Sequence, residues 1–258
     1  MFFYVMAGFD TTSTTLSFVF LLLALHPSFQ ALLQQQLDGV LGSKAISEWN
    51  ANDDLQQLLH GYLGAVISET LRLYHPVAWY ARKTVRHTTV TDSNDMSHVI
   101  PANTIVMIDL AAIGRHPTYW PPENANNERK ERSPALDFNP LRWLKSEAQE
   151  DQEAGTALPF SSGHRMCPGK RFAEVEMCAM VARFFSQFSV RLVPEDIDIT
   201  HAKSAGYDQA WVEQRTKERA ASAMFKGLGF GHGIYPKSHT PFRVIPRLQK
   251  GGHNCSGK

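Results

Sequence analysis

A ten-residue segment constrains this chain more than any other part of its sequence. Residues 160–169 read Phe-Ser-Ser-Gly-His-Arg-Met-Cys-Pro-Gly, directly before a stretch with helical periodicity. Gly163 and Gly169 permit backbone conformations that other residues resist, and they let a flat ligand approach closely. The sequence therefore predicts a glycine-flanked loop that holds one cysteine at the start of a helix.

The chemistry predicted for this loop centres on Cys167. The positive end of the helix dipole and its free N–H groups favour a thiolate over a thiol at this position. Arg165, two residues earlier, supplies a fixed cation for an anionic group. Together these residue types suit a soft anionic sulfur ligand to iron. The alternative is a buried structural cysteine in a turn.

Five residues of this segment resemble the haem-binding loop of the cytochrome P-450 family, the haem-thiolate monooxygenases. Phe160, Gly163, Arg165, Cys167 and Gly169 fill every fixed position of that loop. The resemblance implies that Cys167 ligates the iron of haem (iron protoporphyrin IX) and that the other four are cofactor-binding residues. It also implies insertion of one oxygen atom from O2 into a small organic substrate, with electrons from an NADPH-dependent reductase.

A second motif lies near the start of the chain. Residues 7–12 read Ala-Gly-Phe-Asp-Thr-Thr and resemble the family's oxygen-binding stretch. A threonine hydroxyl can bond a carbonyl one turn back and open a helix locally, where Gly8 leaves space. The resemblance implies that Thr11 and Asp10 are catalytic as a proton relay and that Gly8 belongs to the cofactor site. The alternative is that Asp10 caps a helix starting at Thr11.

A third set of charged residues predicts a structural element. Glu69 and Arg72 stand three residues apart in Ser-Glu-Thr-Leu-Arg-Leu, so they share one face of a helix. The alternative is a surface ion pair worth at most about 1 kcal/mol. The pair resembles the family's E-x-x-R element, and residues 137–143 resemble its F-x-P-x-R-F/W element. The resemblance implies that Arg142 joins Glu69 and Arg72 in a buried structural triad.

Other basic residues have roles that only the resemblance suggests. Arg82 corresponds to the family's arginine that contacts a haem propionate, with Lys83 and Arg86 as alternatives. Lys170 and Arg171, beside the cysteine loop, are candidates for docking the reductase. The alternative for these two is solvated surface charge.

Hydrophobic periodicity predicts mainly helices with a few short strands. The fold class is therefore mainly α with minor β. The resemblance narrows this class to a partial cytochrome P-450 fold, which runs from the central helix remnant through the C-terminal β region. It implies a single partial haem domain over residues 1–258. Helices are predicted over residues 1–25, 28–41, 170–188 and 209–225, and as two pieces over 53–74. Strands are predicted over 84–91, 105–110 and, broken, 235–246.

Composition excludes several classes of protein. Lys plus Arg number 26 and Asp plus Glu number 25, which gives no support to a nucleic-acid partner. Three cysteines are too few and too scattered for a disulfide framework. Residues 1–25 carry one charge, Asp10. Asp10 and the hydroxyl residues 11–15 split the apolar stretch, and its longer piece, Leu16 to Leu25, is about half of what a bilayer span needs. A helix buried in a protein core is favoured over a membrane span.

The resemblance covers nearly the whole chain but only about the C-terminal half of a usual family member. It implies that the N-terminal membrane anchor, the early helices and the lid over the substrate are missing, and we expect a truncated gene product or a partial gene model. The full-length protein is expected at the cytosolic face of the endoplasmic reticulum membrane, held only through that anchor. The alternatives are a non-catalytic remnant and a reductase-independent haem-thiolate isomerase or dehydratase.

Overall fold

Helices make up most of the chain in its computed structural model, which describes residues 2–121, 134–144, 159–226, 228–230, 234–236 and 240–247. The helices are α1 (Phe2–Leu25), α2 (Pro27–Leu41), α3 (Asp54–Leu59), α4 (Tyr62–Leu73), α5 (Leu110–Ile113), α6 (Lys170–Phe185), α7 (Asp196–Ala205) and α8 (Gln209–Lys226). The strands are β1 (Trp79–Lys83), β2 (Thr88–Thr91), β3 (Ser97–Ile100), β4 (Ile105–Asp109), β5 (Phe188–Leu192), β6 (Leu228–Phe230), β7 (Ile234–Pro236) and β8 (Phe242–Pro246). They pair antiparallel as β1–β4, β2–β3, β5–β8 and β6–β7. This confirms the predicted class, mainly α with minor β.

Helix α1 continues without a break through its polar stretch. The hydroxyl of Thr11 donates to the Ala7 carbonyl at 2.8 Å, and that of Thr15 donates to the Thr11 carbonyl at 2.8 Å. Because the helix itself supplies these hydroxyls with acceptors, the polar residues do not end it. The alternative in which Asp10 caps a helix starting at Thr11 is wrong, since the helix begins at Phe2.

The two halves of α1 differ in burial. Phe18, Val19 and Leu23 are fully buried in the core, whereas Tyr4 and Phe9 are 69% and 74% exposed. Within α1, residues 4–25 are long and apolar enough to cross a membrane, although core helices of soluble proteins pass the same test. Half of the most apolar window of this helix is buried against protein.

Helices α3 and α4 confirm the two helical pieces predicted over residues 53–74. The start of α4 lies close against the end of α3 at Gly64, where a Cβ would lie 1.7 Å from the Leu59 carbonyl oxygen. Helix α4 is buried along almost its whole length and packs against α1 and α6. It carries Glu69 and Arg72 of the predicted triad and contributes Leu71 to the cavity described below.

The helix predicted over residues 170–188 is shorter in the structure. It ends at Phe185, and Phe188 begins β5, which pairs with β8 more than fifty residues further along the chain. Helical spacing predicts Phe172 on the same apolar face as Phe185, but Phe172 is 72% exposed, because the buried residues of α6 begin only at Met177. The last turns of α6 are therefore the ones that join the core.

The strand prediction near residue 84 was also wrong in its bounds. Only residues 88–91 of the predicted 84–91 form a strand, and β1 over residues 79–83 was missed. Strand β1 pairs with β4, with Trp79 opposite Asp109. The predicted strand 105–110 ends at Asp109, whose carboxylate accepts the Ala112 N–H at 2.9 Å and so caps α5.

One buried glutamine joins α1, α2 and β5. The Gln30 side-chain amide donates to the carbonyls of Leu23 at 3.0 Å and Val190 at 2.9 Å, and its oxygen accepts the Val190 N–H at 2.8 Å. Replacing Gln30 with leucine is expected to lower the free energy of unfolding by about 1–3 kcal/mol, because buried backbone groups lose their partners. Urea unfolding followed by circular dichroism measures this loss.

The matched control lies on the same helix. Gln35 is exposed, so Gln35→Leu is expected to change the free energy of unfolding by less than about 0.5 kcal/mol. Equal losses in the two variants would show that the bonds of Gln30 do not stabilise the fold.

Candidate functional site

The cysteine loop folds back on itself before α6 begins. The Cys167 N–H donates to the Phe160 carbonyl at 2.8 Å, and the Met166 N–H donates to the Gly163 carbonyl at 3.1 Å. Gly163 has φ +68°, a left-handed conformation that favours glycine. Gly169 precedes the first residue of α6, and its carbonyl accepts the Ala173 N–H at 2.9 Å. The half-buried Cys167 is therefore held by backbone bonds on a tight turn at a helix start.

A cavity of about 260 Å³ lies against this loop, and we call it the cysteine cavity. It combines one thiol, two guanidinium groups, three threonines and a largely apolar wall. Its lining residues are Thr11, Thr12, Thr15, Leu71, His75, Pro76, Val77, Tyr80, Arg82, Leu110, Pro159, Phe160, Ser161, Arg165, Cys167, Ala173 and Met177.

Five of the predicted site residues meet in the cysteine cavity although they are far apart in sequence. Thr11 comes from α1, Arg82 from β1, and Phe160, Arg165 and Cys167 from the loop. Of the three cations considered for the propionate, Arg82 lines the cavity, and its guanidinium lies 4.2 Å from the centre of the Tyr80 ring. Arg82 and Arg165 are both exposed, so the cationic side of the cavity faces solvent.

Other predicted site residues lie elsewhere. Asp10 is exposed on α1, and a Cβ on Gly8 would meet nothing within 4 Å. A Cβ on Gly169 would lie 3.9 Å from the Cys167 sulfur, an ordinary contact. In this structure, the space around Gly8 and Gly169 does not itself require glycine.

Glu69, Arg72 and Arg142 lie together, and all three are buried. The Glu69 carboxylate accepts two N–H bonds from Arg72, both at 2.8 Å, and one from Arg142 Nε at 3.0 Å. It also accepts the Asn139 backbone N–H at 2.9 Å and the Trp143 indole N–H at 2.9 Å. The surface-pair alternative is wrong, because the Glu69 side chain has no exposed area.

Arg72 uses its remaining N–H groups to bind three backbone carbonyls in two other segments. Nη1 donates to the carbonyls of Gly114 at 2.5 Å and Ala135 at 2.7 Å, and Nη2 donates to that of Asp137 at 3.2 Å. The Trp120 ring lies below the guanidinium, 4.8 Å from it. The arginine therefore ties α4 to the segments around residues 114 and 135–137.

Sequence reasoning missed several residues that this geometry brings in. Asn139 and Trp143 stand within the quoted 137–143 motif, but nothing local indicates that they donate to a carboxylate 70 or more positions away. The His75-Pro76 pair predicts only the end of a helix, because proline disfavours helix at the residue before it. In the structure His75 lines the cysteine cavity with both ring nitrogens hydrogen-bonded. The role of His75 depends on its contact with Pro159, 84 positions further along the chain, and no local sequence pattern predicts that contact.

A second cavity, of about 250 Å³, shares Leu71 and residues 159–161 of its lining with the cysteine cavity. Helix α4 and the first turn of α6 form its walls, and Lys170, Arg171 and Glu174 lie at it. Lys170 and Arg171 are exposed and approach the Glu174 carboxylate at 3.8 and 3.9 Å. These long contacts leave a cationic surface beside the cysteine loop.

The residues of the cysteine cavity fit a haem. A thiol sulfur is a ligand for haem iron, apolar walls suit a flat macrocycle, and exposed guanidinium groups suit carboxylates at its edge. The cysteine cavity contains all three features: the thiol of Cys167, an apolar wall that includes Leu71 and Met177, and the guanidinium groups of Arg82 and Arg165.

Comparison with known proteins agrees with this fit. A sequence profile described as Cytochrome P450 matches residues 2–206. Cytochrome P450 3A13 of Mus musculus is 36% identical over 189 residues, which cover 73% of this chain and 33% of that protein. Cyclooctat-9-en-7-ol 5-monooxygenase of Streptomyces melanosporofaciens is 32% identical over 191 residues, which cover 74% of this chain and 36% of that protein. The chain spans about a third of the length of these relatives.

Proposed function

The chain belongs to the cytochrome P450 family, and on that premise we propose that it forms the haem-thiolate part of a monooxygenase. The observation that carries the proposal is the meeting of Cys167, Arg82 and Arg165 at one cavity with an apolar wall. A bound haem would supply the activation of dioxygen, and a thiolate ligand favours O–O cleavage. One oxygen atom would enter an organic substrate and the other would leave as water.

The protein's own contribution begins with the sulfur. The Cys167 N–H to Phe160 carbonyl bond and the start of α6 fix the position of Cys167 on the loop. We assign Phe160, Gly163 and Gly169 to shaping this loop and its contact with the cofactor. Arg165 and Arg82 would bind the carboxylates of the cofactor, since guanidinium groups form strong charge-assisted bonds with them.

Proton delivery is assigned to the wall formed by α1. The Thr11 hydroxyl donates to the Ala7 carbonyl at 2.8 Å, which leaves its oxygen lone pairs to accept a proton donor in the cavity. Asp10, the preceding residue, is exposed to solvent. We therefore propose that a proton passes from solvent through Asp10 to Thr11 Oγ1 at the cavity.

Electrons would arrive at the opposite side of the loop from an NADPH-dependent reductase. Lys170 and Arg171 are exposed beside the loop and are weakly engaged by Glu174. Complementary charge of this kind accelerates association with an acidic partner. In the whole protein we propose the cytosolic face of the endoplasmic reticulum membrane as its location.

Haem titration combined with labelled dioxygen tests the proposal. We expect the chain to bind one haem, and the loaded protein with reductase and NADPH to place one labelled oxygen atom in a small apolar aromatic substrate. Failure to bind stoichiometric haem would favour the non-catalytic remnant. A product that forms without labelled oxygen or reductase would favour an isomerase or dehydratase.

A further inference from the structure

His75 joins the end of α4 to the segment that leads into the cysteine loop. Its side chain is buried, with 5% of the residue exposed, and it lines the cysteine cavity. The Val77 N–H donates to Nδ1 at 3.0 Å, so Nδ1 carries no proton. The ring proton is therefore on Nε2, which donates to the Pro159 carbonyl at 2.9 Å. Burial lowers the pKa of His75, which favours this neutral form.

The hydrogen bond from His75 to Pro159 lies one residue before Phe160, the residue to which the Cys167 amide is hydrogen-bonded. Phe160 follows Pro159, and its carbonyl accepts the Cys167 N–H at 2.8 Å. A second side-chain contact on this side, from Ser161 Oγ to the Tyr80 hydroxyl, is 3.5 Å long. The shorter bond from His75 thus fixes the loop segment whose Phe160 carbonyl accepts the Cys167 N–H.

The same bonds prevent His75 from acting as a metal ligand in the cavity. A neutral imidazole coordinates a metal through its unprotonated nitrogen, which here is Nδ1. Nδ1 accepts the Val77 N–H, and Nε2 carries the proton given to Pro159. The ring therefore orients backbone groups and leaves Cys167 as the soft donor.

We propose that His75 is a positioning residue for Cys167. Its Nε2–H donates to the Pro159 carbonyl and thereby fixes the segment of residues 159–160, to which the Cys167 N–H is hydrogen-bonded. The role of the sulfur as a haem ligand rests on the proposed function above. The attachment of the loop to α4 by His75 does not depend on haem.

Two substitutions separate the two bonds of His75. In His75→Gln, the side-chain NH2 reaches the place of Nε2 and preserves the bond to Pro159. In His75→Asn, the side-chain oxygen takes the place of Nδ1 and accepts the N–H two residues on, as asparagine does in turns, but the bond to Pro159 is lost. The exposed His60, which lines the second cavity but not the cysteine cavity, provides the control His60→Asn.

Hydrogen exchange at the Cys167 amide in the haem-free chain is the first measurement. We expect exchange about tenfold faster in His75→Asn, the change for one lost buried hydrogen bond, and rates near wild type in His75→Gln and His60→Asn. Equal rates in His75→Asn and wild type, or equally accelerated exchange in His75→Asn and His75→Gln, would overturn the proposal. If His75→Asn fails to fold while His75→Gln folds, the bond to Pro159 is supported; if both fail, it is overturned.

The spectrum of the haem-loaded protein is the second measurement. The fraction of the reduced carbon monoxide complex with a thiolate-type Soret band is expected to fall in His75→Asn and to be restored in His75→Gln. If wild type binds no haem but the order of exchange rates holds, the proposed function fails and the positioning role stands. An unchanged thiolate fraction in His75→Asn, with wild type fully loaded, overturns the positioning role.

Discussion

Replacing Glu69 with alanine is expected to lower the free energy of unfolding by about 3–5 kcal/mol. The Glu69 carboxylate has no exposed area and accepts bonds from Arg72, Arg142 and two further donors. Its removal leaves two buried guanidinium groups without a counter-charge, which costs far more than the loss of an exposed ion pair. The loss is a large fraction of the roughly 5–15 kcal/mol that stabilises a typical domain. Urea unfolding followed by circular dichroism measures it.

Glu174 provides the matched control for this prediction. It also has two basic neighbours, Lys170 and Arg171, but at 3.8 and 3.9 Å and with exposed side chains. Glu174→Ala is expected to cost less than about 1 kcal/mol. If Glu69→Ala is no more destabilising than Glu174→Ala, the buried triad does not hold the structure in the way described.

Replacing Cys167 with serine is expected to abolish the strongly red-shifted Soret band of the reduced carbon monoxide complex. A serine hydroxyl stays protonated and is not a soft donor, so it does not replace a thiolate on iron. Haem affinity is expected to fall by at least about tenfold, since even the partners of metal ligands contribute that much. The carbon monoxide difference spectrum and a haem titration measure the two effects.

Cys178 supplies the control for this second prediction. It lies in the packed part of α6 with no exposed area, and burial raises the pKa of its thiol to about 12, so it stays protonated. Cys178→Ala is therefore expected to keep the thiolate band. Cys255, outside the described residues, is tested in the same way with Cys255→Ala. A band that survives Cys167→Ser and disappears in either alanine variant would transfer the ligand role to that cysteine.

The parts of the structure that the sequence predicted well depend on local chemistry. Helical periodicity predicted α2 and α8 to within one residue at each end, because a repeated apolar face needs no distant partner. Gly163 was expected to adopt a backbone conformation that other residues resist, and in the structure its φ lies in the left-handed region.

The parts that the sequence predicted poorly depend on contacts between distant segments. The end of α6 could not be predicted from periodicity, since β5 forms by pairing with β8. An ionisable group within an apolar helix usually marks an interior position, but Asp10 of α1 is exposed. Burial of a helix face depends on which elements pack against it, and a single sequence does not contain that information.

The candidate site shows the same division. The residue types of the cysteine loop predicted a sulfur ligand, and the family resemblance assigned Thr11 and Arg82 to the same site. That α1, β1 and the loop meet at one cavity is seen only in the folded structure. The bond from His75 to Pro159 spans 84 positions, and the bond from Trp143 to Glu69 spans 74. Neither pair has a spacing that predicts contact, because both depend on how α4 meets the rest of the chain.

The iron X-ray absorption spectrum of the haem-loaded chain tests the central claim most directly, because it reports which atoms surround the metal. We predict one sulfur in the first coordination shell of iron in the unaltered protein and none in Cys167→Ser. A first shell of nitrogen and oxygen atoms alone in the unaltered, fully loaded protein would contradict the assignment of Cys167 as the ligand.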